Sequence, residues 1–269
     1  MNTWKLTIEY EGTRYSGWQE QKNARSVAGE IRVAAEAALS TRVELLGAGR
    51  TDAGVHALAQ VGRLRGAGRA KPGELLRALN DRLPADINVL KVEEARERFD
   101  PRRDAIARYY LYQISTRRTA FAKRFVWWVK DLLDFDSMNR ASQLIKGRHD
   151  FKEFSERRGD ERSTIVVVNH AEMAVEGDLI LFRIGASHFL WKMVRRIVGA
   201  LVEVGRGSLS IEEFDSLING RALSGKSKLF QVAAHTAPPS GLFLDQVVYN
   251  KAERLPALAP AFPVSRFDG

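Results

Sequence analysis

Cysteine is absent from the chain. No disulfide framework, thiol nucleophile or cysteine-built zinc site is open to it, which fits a cytosolic setting. Histidine is sparse: His56, His149, His170, His188 and His235 are scattered and never form a His-Glu-x-x-His pair, so no metal is expected. No apolar run reaches the roughly eighteen residues of a membrane span. The opening residues alternate apolar and polar instead of forming a signal's apolar block, so a soluble, cytoplasmic protein is expected, with no membrane partner. Acidic residues are the minority, 33 against 42 Lys and Arg, for a formal charge of +9. Such a balance favours polyanionic partners, nucleic acid above all.

What is present is ample for a core: 45% of the 269 residues are hydrophobic. Trp4, Leu6, Ile8 and Tyr10 alternate as in a half-buried strand. The loop that follows carries Tyr15 and Trp18 amid Arg and Gln, either to stack on bases or to cover the core edge. Ser26 is an N-cap for a helix with Val27, Ile31, Ala34, Ala35 and Ala38 in one stripe. Short strands are expected at residues 43–46 and 60–64. A helix opening at Pro72 carries Leu75, Leu76, Leu79 and Leu83, and a strand runs through Ile87, Val89 and Val92. The charged run from Glu93 to Asp104 reads as a solvated junction.

Beyond it, Arg108, Tyr110, Tyr112 and Ile114 share one face of a strand, with Tyr109 and Leu111 on the other. Trp127 and Trp128 read as core strand and residues 136–145 as a helix. Gly177-Asp178 turns a hairpin, and the segment from Ser155 to Ser163 reads as charged and mobile. Leu190, Met193, Val194, Ile197, Leu201 and Val204 mark a helix over residues 189–205, with Lys192 and Arg196 opposite its apolar stripe and Arg195 on the flank. Ser210 and Glu213 form a capping box, a last strand ends near Tyr249, and the tail beyond Asn250 reads as loosely attached. The class is α+β, with two comparable sheet-and-helix units: an N-terminal domain over residues 1–99, a C-terminal domain over 105–250 and a tail over 251–269.

Residues 47–56, Gly-Ala-Gly-Arg-Thr-Asp-Ala-Gly-Val-His, stand out. Glycine permits positive φ and close backbone approach, so Gly47, Gly49 and Gly54 predict a sharply folded loop presenting Arg50 and Asp52. The dinucleotide fingerprint needs glycine where Asp52 stands, and the phosphate loop's Gly-Lys-Ser/Thr ending is missing. From composition alone, a glycine-rich turn with a solvated Arg–Asp pair is the favoured reading. His56 reads as support for the loop.

Several separated stretches, in order, resemble the TruA family of tRNA pseudouridine synthases: Tyr10-Glu11-Gly12 with Gly17-Trp18-Gln19, Ser26-Val27, residues 49–56, Arg108-x-Tyr110-x-Tyr112, Asp150-Phe151, Met193-Val194-Arg195 with Ile197-Val198-Gly199, and Pro239 with Gly241-Leu242-Phe243-Leu244. The resemblance implies the pseudouridine synthase fold, with two related halves flanking a basic cleft. It also implies isomerisation of uridine in the anticodon arm of tRNA, at positions 38, 39 and 40, by a homodimer without cofactor or metal. Carried over by residue, it makes Asp52 the nucleophile, Arg195 its basic partner, Tyr110 the ring against the target base and Arg50 the group that evicts that base. Arg108 and Lys192 join the substrate-binding set.

The chain departs from the family's pattern where a Cys-Gln-Ser segment often follows Asp-Phe and here Phe154 to Arg162 stands instead, at Arg196 in place of Asn, and at Trp191-Lys192 where His is frequent. These departures leave the catalytic positions intact and bear on substrate range. An RNA-binding protein without chemistry and a hydrolytic glycosidase are the competing readings. Hydrolysis normally asks for two carboxylates, and one strong candidate is present.

Overall fold

The computed structural model describes residues 1–156, 163–221, 223 and 230–264. In chain order the elements are β1 (Asn2–Tyr10), α1 (Val27–Leu39), β2 (Val43–Gly47), β3 (His56–Gly66), α2 (Pro72–Asn80), β4 (Ile87–Glu94), β5 (Ala107–Ser115), β6 (Trp127–Trp128), α3 (Phe135–Gln143), β7 (Gly147–Asp150), β8 (Ile165–Glu176), β9 (Leu179–Ala186), α4 (Met193–Gly205), α5 (Ile211–Ile218) and β10 (Leu242–Val248). The chain forms two compact units. One is Met1–Ile106 with Phe243–Arg254; the other is Ala107–Leu242 with the described residues from Leu255 onward. Among the described residues no helix is long and apolar enough to cross a membrane.

In the first unit β1 lies between β4 and β3, antiparallel to each. Its alternation buries Trp4, Leu6, Ile8 and Tyr10. The opposite edge of β3 is shared: β2 pairs with its far end, from Gly62 to Gly66, and β10 runs parallel to its start, Phe243 beside His56. The core spacing on β4 changes parity between Val89 and Val92 because a register shift against β1 leaves Leu90 unpaired and exposed. Ser26 caps α1 by accepting from the Gly29 amide.

Two expectations are corrected here. The strand near Tyr249 belongs with the first unit, not the second, through its pairing with β3. The charged junction is also folded: Asp100 accepts from the amides of Arg102 and Arg103, and Tyr249 donates to the carbonyl of Pro101 at 2.7 Å.

The second unit is built on the antiparallel order β5-β9-β8-β7, with β6 added in parallel to β5. Gly177, at φ 58°, turns the β8–β9 hairpin. Ser210 and Glu213 close the capping box of α5. Trp128 is a further correction, since it is 41% exposed and the core residues around it are Val126 and Val129. The tail is docked. Gln113, fully buried on β5, accepts from the amide of Ala261 at 2.6 Å, and Arg183 on β9 donates to the carbonyl of Pro256 at 2.7 Å. A proline- and alanine-rich extension has little packing of its own, but its unpaired backbone groups satisfy these two buried side chains.

Candidate active site

The Arg50–Asp52 loop runs along β3. As β2 ends, the Ala48 amide donates to the Val61 carbonyl at 2.8 Å and Gln60 donates from its side chain to the Gly49 carbonyl at 2.9 Å. The loop thus occupies the stretch of strand edge between β2 and β10. The segment after β1 holds it from another side. Trp18 donates its amide to the Thr51 carbonyl, the Tyr10 and Thr51 hydroxyls meet at 2.8 Å, and the Gly12 amide donates to Nδ1 of His56 at 2.9 Å.

These contacts explain the glycines on either side. A Cβ on Gly12 would sit 1.9 Å from the Val55 carbonyl oxygen, one on Gly17 2.4 Å from that of Thr51, and one on Gly47 2.5 Å from the indole nitrogen of Trp18. Of the three loop glycines named from the sequence, only Gly54 has positive φ, at 78°, in the turn closed by the Val55 amide on the Asp52 carbonyl. Within this frame Thr51 and Val55 are buried, Asp52 is half-buried and Arg50 is exposed. Tyr15 and Trp18 are buried, so they cover the core edge and leave no ring free for a base. The Tyr15 hydroxyl donates to Asp86, and burial together with that carboxylate holds its phenol well above the ordinary range.

The second unit holds the other predicted residues. Tyr110, on β5, meets the Phe189 ring edge-on at 5.1 Å between centroids. Arg108, two residues earlier, is buried and donates to the carbonyl of Ser187. These two side chains therefore grip the connection from β9 to α4. That connection ends in Lys192, which caps α4 with left-handed backbone at φ 61°, unusual for a residue with a side chain. The helix begins at Met193, later than the periodicity predicted, and every one of its residues except Arg195 is buried.

Arg196 is thus corrected from an outer position to an inner one. Its guanidinium donates to the Ser155 carbonyl and lies 3.6 Å from Glu156, while Lys192 reaches the same carboxylate at 2.6 Å. Glu156, Lys192 and Arg196, three positions where the chain departs from the family's pattern, therefore meet in one cluster. Residues 157–162 of the altered segment lie outside the described residues.

Arg195 turns to the strap around Pro238 and Pro239, which the sequence marks only as the approach to the last strand. Its Nε donates to the Ala237 carbonyl at 2.6 Å, and its own carbonyl accepts from the Ala237 amide at 3.1 Å. The Pro238-Pro239 pair was the available signal: two prolines in a row cannot continue a helix and leave carbonyls in need of donors. Among the described residues no group of three or more His, Cys, Asp or Glu is placed to hold a metal ion.

Residues 6–102 and 141–250 match the family described as tRNA pseudouridine synthase. The chain belongs to this family. The matched blocks contain Arg50, Asp52, Lys192 and Arg195, while Arg108 and Tyr110 fall between them. A tRNA pseudouridine synthase A from Rhodopseudomonas palustris (strain BisA53) is 39% identical over 253 residues, covering 93% of this chain and 100% of that protein. A tRNA pseudouridine synthase A from Brucella ovis is 37% identical over 254 residues, covering 93% of this chain and 98% of that one. As a tRNA pseudouridine synthase family member, the chain carries the mixed α and β elements anticipated from its periodicities.

Proposed function

We propose that this protein isomerises uridine to pseudouridine in the anticodon arm of tRNA, at positions 38, 39 and 40, with Asp52 as the nucleophile. The observation that carries the reading is the Asp52 loop. It is braced by backbone and side-chain bonds on each side of Thr51, yet it leaves Arg50 in solvent and Asp52 half-open, inside a block that matches the family. A solvated turn would need no such bracing.

The reaction breaks the N1–C1′ bond, rotates the uracil and rejoins it through C5 without releasing it. A uracil anion is a tolerable leaving group, so one carboxylate suffices where a hydrolase uses two. Asp52 either attacks the sugar or removes a proton from it. Arg195 pairs with Asp52 and orients it. The base must leave its stack, at a cost of a few kcal/mol; Arg50 fills the vacated space and Tyr110, its ring already set by Phe189, packs on the extruded base. Lys192, with the segment that Arg108 secures, completes the substrate-binding set, and the basic surface holds tRNA by phosphate and shape. The protein acts as a homodimer in the cytoplasm and uses no cofactor.

The test is an Asp52→Asn variant assayed for tRNA binding and for pseudouridine in purified tRNA. Retained binding with lost product supports the reading. Wild-type protein that binds tRNA without forming product would make it an RNA-binding protein, and released uracil would make it a glycosidase. Light scattering of the purified protein tests the dimer.

A further inference from the structure

Tyr112 has no part in the proposed chemistry, yet it is fully buried and spends its hydroxyl on one contact: a hydrogen bond at 2.8 Å to the carbonyl of Pro238. The neighbouring carbonyl, that of Ala237, receives Nε of Arg195. Two side chains from different elements, β5 and α4, thus hold consecutive carbonyls of one strap. The strap is seated closely along its length. A Cβ on Gly199 of α4 would come within 1.6 Å of the His235 carbonyl oxygen, and one on Gly241 within 2.7 Å of the Tyr112 ring. His235 lies 3.2 Å from Glu203 at the far end. The ring of Tyr112 is itself fixed edge-on to Trp127.

We propose that Tyr112 is a positioning residue, which by anchoring the Ala237 and Pro238 carbonyls sets the guanidinium of Arg195 for the reaction. The proposal rests on the reading of Arg195 as a group that acts in turnover. Arg195 is the one residue of α4 that is not buried, so its direction is not dictated by core packing and depends on what its head group grips. The Ala237 and Pro238 carbonyls lie in successive peptide planes joined at the Cα of Pro238, whose ring fixes φ at −62°, so ψ of Pro238 is the one soft torsion between them and a drift of the Pro238 carbonyl is passed in part to that of Ala237. Burial holds the Tyr112 phenol well above its ordinary range, outweighing the opposing pull of Arg195, so the hydroxyl stays a donor at all working pH.

The experiment compares Tyr112→Phe with wild type for kcat and KM on tRNA, alone and in an Arg195→Lys background that lacks the Nε donor. Misplacing a reactive group by about an ångström costs up to roughly a hundredfold. Tyr112→Phe is therefore expected to lower kcat on the order of tenfold with KM within about twofold, and to have no further effect once Arg195 is Lys. An unchanged kcat, an equal change in KM, or a loss that persists in the Arg195→Lys background overturns the proposal. Should Tyr112→Phe fail to fold, His235→Gln loosens the far end of the same strap and is read by the same split and the same background. An Arg195→Ala variant with full turnover would instead overturn the reading of Arg195 itself; a crippled Arg195→Ala beside an unaffected Tyr112→Phe overturns only the positioning role.

Discussion

The amide of Gly12 donates to Nδ1 of His56, tying the end of β1 to the first residue of β3. The imidazole accepts through Nδ1, so Nε2 carries the proton, and the ring stacks on Phe243 of β10 at 4.8 Å. One side chain therefore joins β3, β10 and the turn after β1 beside the Asp52 loop. His56→Ala leaves the buried Gly12 amide without an acceptor and removes the stack, a loss of about 2–4 kcal/mol. Thermal unfolding should show this drop, while the folded fraction of the variant retains turnover. Complete loss of turnover in well-folded protein would mean that the imidazole takes part in the chemistry.

Gly17 is the stricter test of the loop's bracing. Its φ of 89° disfavours any side chain, and a Cβ would meet the Thr51 carbonyl and the Asp52 backbone. Gly17→Ala should cost about 1–3 kcal/mol. It should also lower kcat by at least roughly tenfold, because the atoms displaced belong to the peptide that carries Asp52. Kinetics at a temperature well below unfolding separate the two effects.

Glu203 gives the fold a pH dependence of known sign. Burial opposes its charge, but hydrogen bonds from Ser208 and Arg206, with the attraction of Arg206 and His235, outweigh it and leave the carboxyl below its usual range. The folded value is the lower one, so the contribution is fully present above the unfolded value and is lost as pH falls through the folded value. Glu203→Gln should therefore be less stable than wild type at neutral pH. The gap should close on acidification, as read by denaturant midpoints from pH 7 down to about pH 3.

The parts of the fold legible in the sequence are those whose signals are local. The alternation of β1, the Ser26 cap, the Gly177-Asp178 turn and the Ser210–Glu213 box each depend on residues within a few positions of one another. What escaped depends on distant partners. Helical periodicity with one apolar stripe puts Arg196 outside, whereas α4 is packed nearly all round and a buried cation is tolerated through Ser155 and Glu156. For the tail the sequence offers only composition, which says nothing of Gln113 and Arg183 waiting for backbone partners. In the loop itself, the glycines signal backbone freedom, yet Gly47 is required by the ring of Trp18 lying against it.

The Glu156 cluster leads to a variant with two opposite effects. Glu156 neutralises Lys192 and lies close to the buried Arg196. Removing a partner from a buried cation is costly, but this carboxylate is 41% exposed, so solvent screening reduces the loss in Glu156→Ala to about 1–2 kcal/mol. The same change releases the ammonium of Lys192, which sits over the Trp191 ring at the start of α4. A freed cation adds one phosphate contact, so tRNA should bind more tightly at low salt and the slope of log affinity against log salt should steepen by about 0.7–0.9. Lower thermal stability with tighter, more salt-sensitive tRNA binding is thus the expected pair. Weaker binding would mean that Glu156 serves the substrate by holding Lys192 in its left-handed cap, and that the ion pair, not the free ammonium, is the form that meets tRNA.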